Sequence, residues 1–214
     1  MRLALTLATL LLMAVSAGAQ APPPIRIGFA SAMSGPAAIT GEGVRWGATL
    51  AVEEINAKGG VMGRKLEAFF ADNKAQPGEA VSAVRKLVDV DQVDVIIGQT
   101  HSGACLGAMP VVKELGVPMV IEACSHPQIR ALSGKGGNEW TFRVALDDEI
   151  MAYTFARYMA RQDVKSTSIL AMNNDFGHGA ANAYDAAFKK ATSSCSRPSS
   201  STPVSPTTAP CSRA

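Results

Sequence analysis

Residues 93–123 read VDVIIGQTHSGACLGAMPVVKELGVPMVIEA, and this stretch decides the fold class. Val93 to Gly98, apolar apart from Asp94, is a run of strand length, of the kind found in a sheet covered on both faces. A helical pattern follows from about Ser102 to Leu115, then a second β-rich run from Val117 to Ile121. Strand, helix and strand in so short a span form a crossover unit, whose two strands run parallel.

The same alternation extends in both directions. Upstream, Ile25 to Ala30 reads as a strand and Gly43 to Lys58 as a helix, with Val44, Ala48, Ala51 and Ile55 on one face. Gly59-Gly60 stops that helix, Lys65 to Ala71 is a strand, and Pro77 opens a helix whose stripe is Val81, Val84 and Val88. Downstream, Trp140 to Ala145 reads as a strand, Asp148 to Arg161 as a helix, Ser168 to Met172 as a strand and Ala180 to Lys190 as a helix. The expected class is α/β: a three-layer lobe with a parallel sheet between helices. Right-handed crossovers gather the loops after the strands along one edge, where such folds bind ligands.

The two ends are different in kind. Arg2, an apolar run from Leu3 to Val15 and the small-residue site Ala17-Gly18-Ala19 describe a secretory leader, residues 1–19, cleaved after Ala19. That run is shorter than the roughly 20 apolar residues a spanning helix needs, so export without stable membrane insertion is expected. Residues 192–214 hold eight Ser, four Thr and four Pro, with Val204 the one large aliphatic. Such a segment buries too little to order itself. Its abrupt start after Ala191 favours loss of the reading frame over a linker or stalk. The formal charge of +2 excludes a strongly basic nucleic-acid binder, and without Arg2, Arg197 and Arg213 it becomes −1.

A ligand-binding role can be argued from one loop. Thr100-His101-Ser102-Gly103-Ala104 joins a buried strand to a helix, so free N–H groups and the helix dipole face an incoming anion. Ser102 adds a hydroxyl, and its alternative reading is a plain N-cap.

Ala32-Met33-Ser34-Gly35-Pro36, then Glu53-Glu54-Ile55-Asn56-Ala57-Lys58-Gly59-Gly60-Val61, then Gly63-Arg64-Lys65-Leu66 form an ordered set. This order resembles the leucine/isoleucine/valine-binding family, type I periplasmic binding proteins that deliver amino acids to ABC importers. The resemblance runs from about Ile25 to Lys190. It implies a first α/β lobe at 25–145, a crossing at Trp140–Leu146, and the start of a second lobe at 146–191, the rest of that lobe being absent. It also implies an amino acid, or a related small acid or amide, in an interlobe cleft, with an ABC permease as partner. A periplasmic ligand sensor of the same fold is the alternative.

By the same resemblance Ser102 binds the ligand carboxylate, Ala123 offers backbone groups and Ser125 contacts both ligand ends. Phe176, in Asn174-Asp175-Phe176-Gly177, corresponds to an aromatic that closes over the ligand; its other reading is a core Phe. Thr40 stands where the family often has an aromatic, and the acid that would pair the ligand ammonium belongs to the absent part. No cofactor is expected.

Other readings compete. His101, Cys105, Cys124 and His126 invite a zinc site, but His-x3-Cys with Cys-x-His is not a standard ligand spacing. A Cys105–Cys124 disulfide suits an exported protein, although sequence cannot fix the Cα separation it needs. Gly41, Gly43 and Gly47 miss the dinucleotide spacing, and Asp175-Phe176-Gly177 lacks every other kinase element. Ser102 has no evident base and acid partners, so an exported hydrolase is the least supported reading and no catalytic residue is expected.

Overall fold

A computed structural model describes residues 22–162, 164 and 166–195. Five strands form one sheet: β1 (Ile25–Ser31), β2 (Leu66–Asp72), β3 (Val95–Gly98), β4 (Met119–Ile121) and β5 (Thr141–Arg143). All neighbours are parallel and the order is β2-β1-β3-β4-β5. The helices are α1 (Ala38–Ala57), α2 (Pro77–Arg85), α3 (Ser102–Leu115), α4 (Pro127–Leu132), α5 (Asp148–Arg161) and α6 (Asp175–Cys195). A 3₁₀ turn, Gly35–Ala37, leads into α1, and a π turn, Lys86–Val90, continues α2.

The pleat sorts the strand residues by face. On one face Ala30, Ala71, Ile96, Met119 and Ile121 meet Ala83 and Val84 of α2, Leu87, and Ala108 and Val112 of α3 in a single core cluster. Gly107 lets α2 and α3 come together, since a Cβ there would sit 2.8 Å from the Pro77 carbonyl oxygen. On the other face the register places Phe70, Phe29, Ile97, Val120 and Phe142 in one row across all five strands. Arg45 of α1 lies 5.1 Å above the Phe70 ring, and Phe29 beside it is buried. Phe142, at the far end of the row, is 54% exposed. Among the described residues the sheet is thus covered on both faces only at its β2–β1 end.

The expected alternation appears with three differences. First, Val44, Ala48, Ala51 and Ile55 do not form a buried stripe: Ala48 is buried, while Ala51 and Ile55 are exposed. α1 has one neighbouring layer, so few of its positions find anything to pack against. Likewise Val84 of the α2 stripe is buried and Val81 and Val88 are half-buried; the deepest face is Ala80, Ala83, Val84 and Leu87. Second, Ser168 to Met172 is not a strand. A strand exists by hydrogen bonding to a neighbour, and among the described residues this segment has none; Leu170 is fully exposed. Third, Pro127–Leu132 is a helix that periodicity does not reveal, because six residues are less than two turns.

α5 and α6 pack on each other through Phe155, which meets Tyr184 and Phe188 edge-on at 5.9 and 6.1 Å. α6 begins five residues before the expected Ala180 and remains helical to Cys195, four residues into the Ser/Thr/Pro-rich stretch. Extending an existing helix costs far less than starting one. The expected leader, 1–19, and the remainder of the tail, 196–214, lie outside the described residues.

Candidate functional site

Because every strand is parallel, the carboxyl ends of all five lie on one edge. At β1 and β2 this edge is a fixed scaffold. The Asp72 carboxylate accepts from the N–H groups of Met33 at 2.8 Å and Lys74 at 2.9 Å, and from the Ser34 hydroxyl. Burial by itself would raise the Asp72 carboxyl, but the Ser34 hydroxyl and these N–H donors outweigh it and hold the group below the ordinary carboxylate value. The loop that starts the family-like motif is therefore tied to β2.

The β3 end carries the expected site. Gly98 has φ +141°, and a Cβ there would overlap the Ala30 carbonyl oxygen of β1, so only glycine fits. Gln99 is fully buried; its Oε1 accepts from Asn73 Nδ2, and its Nε2 has no partner among the described residues. Ser31 and Thr100 hydroxyls lie 3.1 Å apart, and Thr100 Oγ1 is 2.9 Å from His101 Nδ1. Burial lowers the His101 pKa, favouring the neutral ring. Ser102 is 3% exposed and opens the 14-residue α3, whose N-cap, His101, makes no side-chain capping bond. Ser102 is therefore the first residue of the helix and not its cap.

The β4 end lies beside it. Ala123 is exposed and Ser125 is buried. Glu122 has one carboxylate oxygen buried without a partner among the described residues, and burial raises its pKa. Cys124, between the two expected site residues, is disulfide-bonded to Cys105 in the first turn of α3, with Cα atoms 6.6 Å apart. That bond removes both thiolates from the zinc reading. Among the described residues no cluster of three or more His, Cys, Asp or Glu is placed to hold a metal.

The turn from β5 into α5 closes the edge, and it was not anticipated. Asp147, fully buried, caps α5 by accepting from Ile150 N–H at 2.9 Å. Its other oxygen pairs with Arg130 of α4 and, at 3.2 Å, with Arg143 of β5. Arg143 in turn donates to the Cys124 and His126 carbonyls at 3.3 and 3.4 Å, so the Ser125 loop is clamped to the start of α5. Burial opposes the Asp147 charge, but the Ile150 N–H and the two guanidinium groups overcome it and lower its pKa. Asp148 is shifted the opposite way. Burial raises its carboxyl pKa and the Asp147 charge adds to that, while the Ser125 hydroxyl, His126 and Arg143 offset part of it. One Asp148 oxygen is buried without a partner among the described residues, and the Asp148 N–H donates to the Ser125 carbonyl at 2.9 Å. Asp147 followed by Asp148 and Glu149 in the first turn of α5 is the signal that sequence offers for the cap.

Phe176 does not join Ser102, Ala123 and Ser125. It is 43% exposed and lines an apolar groove of about 580 Å³ with Phe155, Leu170, Met172 and Tyr184, between α5, α6 and the 166–172 segment. Its neighbour Asp175 is the residue that reaches the β3 loop: a Cβ on Gly103 would lie 2.7 Å from Asp175 Oδ2. Gly179 faces the His126 ring with no room for a side chain. The start of α6 thus rests on the two loops that hold Ser102 and Ser125.

Among the described residues no helix is long and apolar enough to cross a membrane. A family model described as "Periplasmic binding protein" matches residues 24–205. The Leu/Ile/Val-binding protein BraC3 of Rhizobium johnstonii is 33% identical over 186 residues, covering 85% of this chain and 49% of that relative. The Leu/Ile/Val-binding protein of Escherichia coli is 31% identical over 168 residues, covering 78% and 44%. The branched-chain amino acid transporter substrate binding protein LivJ of Streptococcus pneumoniae, solved in complex with isoleucine, superposes with a TM-score of 0.68 at 27% identity, covering 78% of this chain and 47% of that one. A solute binding protein of an ABC transporter from Rhodopseudomonas palustris, in complex with 3,4-dihydroxy benzoic acid, superposes at 0.69 with 21% identity over 79% and 44%, a likeness of fold alone. The chain spans about half the length of the curated relatives it matches. By the match across most of its length and by these relatives, the chain belongs to the periplasmic binding protein family.

Proposed function

We propose that the chain is the solute-binding component of an ABC importer, exported to the periplasm, where it holds an amino acid of the branched-chain class for a membrane permease. The α3 N-terminus and the Ser102 hydroxyl receive the ligand carboxylate, Ala123 contributes backbone groups, and Ser125 meets both ligand ends. Phe176 would have to leave its groove to close over the ligand. The observation that supports this reading most is the pairing of two buried serines on adjacent strand-end loops, one of them at the uncapped start of a 14-residue helix. The first-turn N–H groups and the positive end of the dipole suit an anion at that place, where the Asp175 carboxylate already approaches Gly103.

Small-molecule sites bury most of their ligand, and the residues assigned here form chiefly one wall of a cleft. The 214-residue chain by itself therefore binds weakly, in the millimolar range. The test is a titration of the ¹⁵N-labelled chain with leucine and isoleucine, followed by NMR at the Ser102, Gly103 and Ser125 amides. Saturable shifts at those amides, lost in Ser102→Ala, support the proposal. A low-micromolar or tighter affinity would contradict the one-wall account, and the absence of any shift at tens of millimolar ligand would remove the amino-acid reading.

A further inference from the structure

The Cys105–Cys124 disulfide stands where the two proposed ligand loops meet. Cys105 lies three residues after Ser102, and Cys124 sits between Ala123 and Ser125. The β3–β4 pairing that should hold these loops together ends at Ile97 and Val120. Past that pair, among the described residues, the disulfide is the one covalent tie between the loops; Cys124 Sγ also packs within 2.9 Å of the Gln99 carbonyl oxygen, and the start of α6 rests on both loops. Cys105 Sγ lies 3.8 Å from the same oxygen. The Ser125 loop is fixed on its other side by Arg143, through the Cys124 and His126 carbonyls. With the crosslink in place, Ser102 and Ser125 move as one body. Without it, the β4 loop keeps its bolts to β5 and α5 while losing its covalent tie to α3.

We infer that the Cys105–Cys124 pair is a positioning crosslink of the binding site, so that ligand binding is acquired on oxidation. A site whose groups must be ordered on binding is weaker than one held ready. Oxidation proceeds by thiol–disulfide exchange with an external protein or small-molecule disulfide. One cysteine thiolate attacks a sulfur of that disulfide, and the mixed disulfide is then displaced by the second thiolate. The external disulfide takes up the two electrons and leaves as two thiols, and two protons pass from the cysteines to its sulfurs by way of solvent. Both cysteine side chains are buried in the folded chain, so exchange needs an opening of the loops. Once formed the bond is shielded, which fits a device set once in an oxidising compartment.

This inference rests on the amino-acid reading of the same site, and the experiment separates the two. The oxidised full chain, the chain refolded under reductant and Cys105→Ala/Cys124→Ala are each titrated with leucine by ¹⁵N NMR, and their amide hydrogen exchange is measured without ligand. The expected result is an affinity at least about ten-fold weaker in the reduced and doubly substituted chains. In those chains exchange should rise more at residues 99–105 and 122–126 than at the β1–β2 amides, whose smaller rise reflects only the lost loop-closure entropy, and reoxidation should restore the wild-type affinity. Equal affinity in folded oxidised and reduced chains overturns the inference and leaves the amino-acid reading standing. A loss of protection no greater at residues 99–105 and 122–126 than in β1–β2 also overturns it, because the bond is then a support of the whole fold and not of the two loops. No leucine-dependent shift in the oxidised chain overturns both.

Discussion

Replacing Asp147 tests whether the β5–α5 corner is held by its buried charge. Asp147→Ala removes the acceptor for the Ile150 N–H, a helix cap, which costs about 1 kcal/mol. It also leaves Arg143, whose side chain is only 9% exposed, without its carboxylate. Breaking a buried pair costs about 3–5 kcal/mol, but Arg143 keeps its bonds to the Cys124 and His126 carbonyls, which places its loss below that range, at about 2 kcal/mol. The Arg130 contact adds less than about 1 kcal/mol, since that guanidinium is largely in solvent. The expected total is about 3 kcal/mol, against about 2 kcal/mol for Asp147→Asn, which retains a capping oxygen. Urea unfolding followed by far-UV circular dichroism reads this as a fall in midpoint of about 1–3 M. The pH dependence has a definite sign: the Asp147 pKa is lowered in the folded chain. Its contribution is therefore present above the ordinary carboxylate value and lost as pH falls through the lowered one. Wild type and Asp147→Asn should differ fully at neutral pH and converge in acid, below the ordinary value of 3.8. A loss under about 1 kcal/mol for Asp147→Ala, or a gap to Asp147→Asn that persists in acid, would refute the buried-charge account.

Asp148→Asn should act in the opposite sense. The Asp148 pKa is raised, so the folded chain carries a cost at neutral pH that disappears as pH falls below the ordinary carboxylate value, and the variant should raise the urea midpoint at pH 7 but not in acid. Removing the disulfide with Cys105→Ala/Cys124→Ala should cost about 3 kcal/mol, from the closure entropy of a loop with sequence separation 19, and reductant should then leave the variant's midpoint unchanged. Gly98→Ala should destabilise by more than about 1 kcal/mol, because φ is +141° and the added Cβ meets the Ala30 carbonyl; a midpoint equal to wild type would show that β1 and β3 can move apart there.

How far the sequence could be read depends on the range of the interactions involved. The strand and helix alternation was legible because it is local: the apolar run at 95–98 and the α5 boundaries Asp148–Arg161 follow from period and capping. The motif order from Ala32 to Leu66 carried the family by resemblance, and the family match bears it out. The position of Ser102 at the start of α3 was also local, since a helix start needs only its own turn. Ser168 to Met172 has the same composition as a strand, yet composition cannot supply a neighbour, and among the described residues there is none. The Val44, Ala48, Ala51 and Ile55 stripe has helical spacing, but spacing does not say how many layers lie against a helix.

By itself, the sequence determined that this is an α/β chain with parallel strands, that the loops after its strands gather along one edge, and that its recognisable motifs are those of a solute-binding family. Local periodicity and short motifs suffice for these statements, because each depends on residues a few positions apart. Only the tertiary structure decided that Cys105 and Cys124 pair and do not ligate zinc, since that turns on a Cα separation of 6.6 Å between two different loops. It alone decided that Asp147 serves Arg130, Arg143 and a helix cap at once, and that Asp175 rather than Phe176 approaches the α3 N-terminus. Those outcomes depend on where distant segments come to rest, and distances across a sheet edge are set by packing and not by the order of residues along the chain.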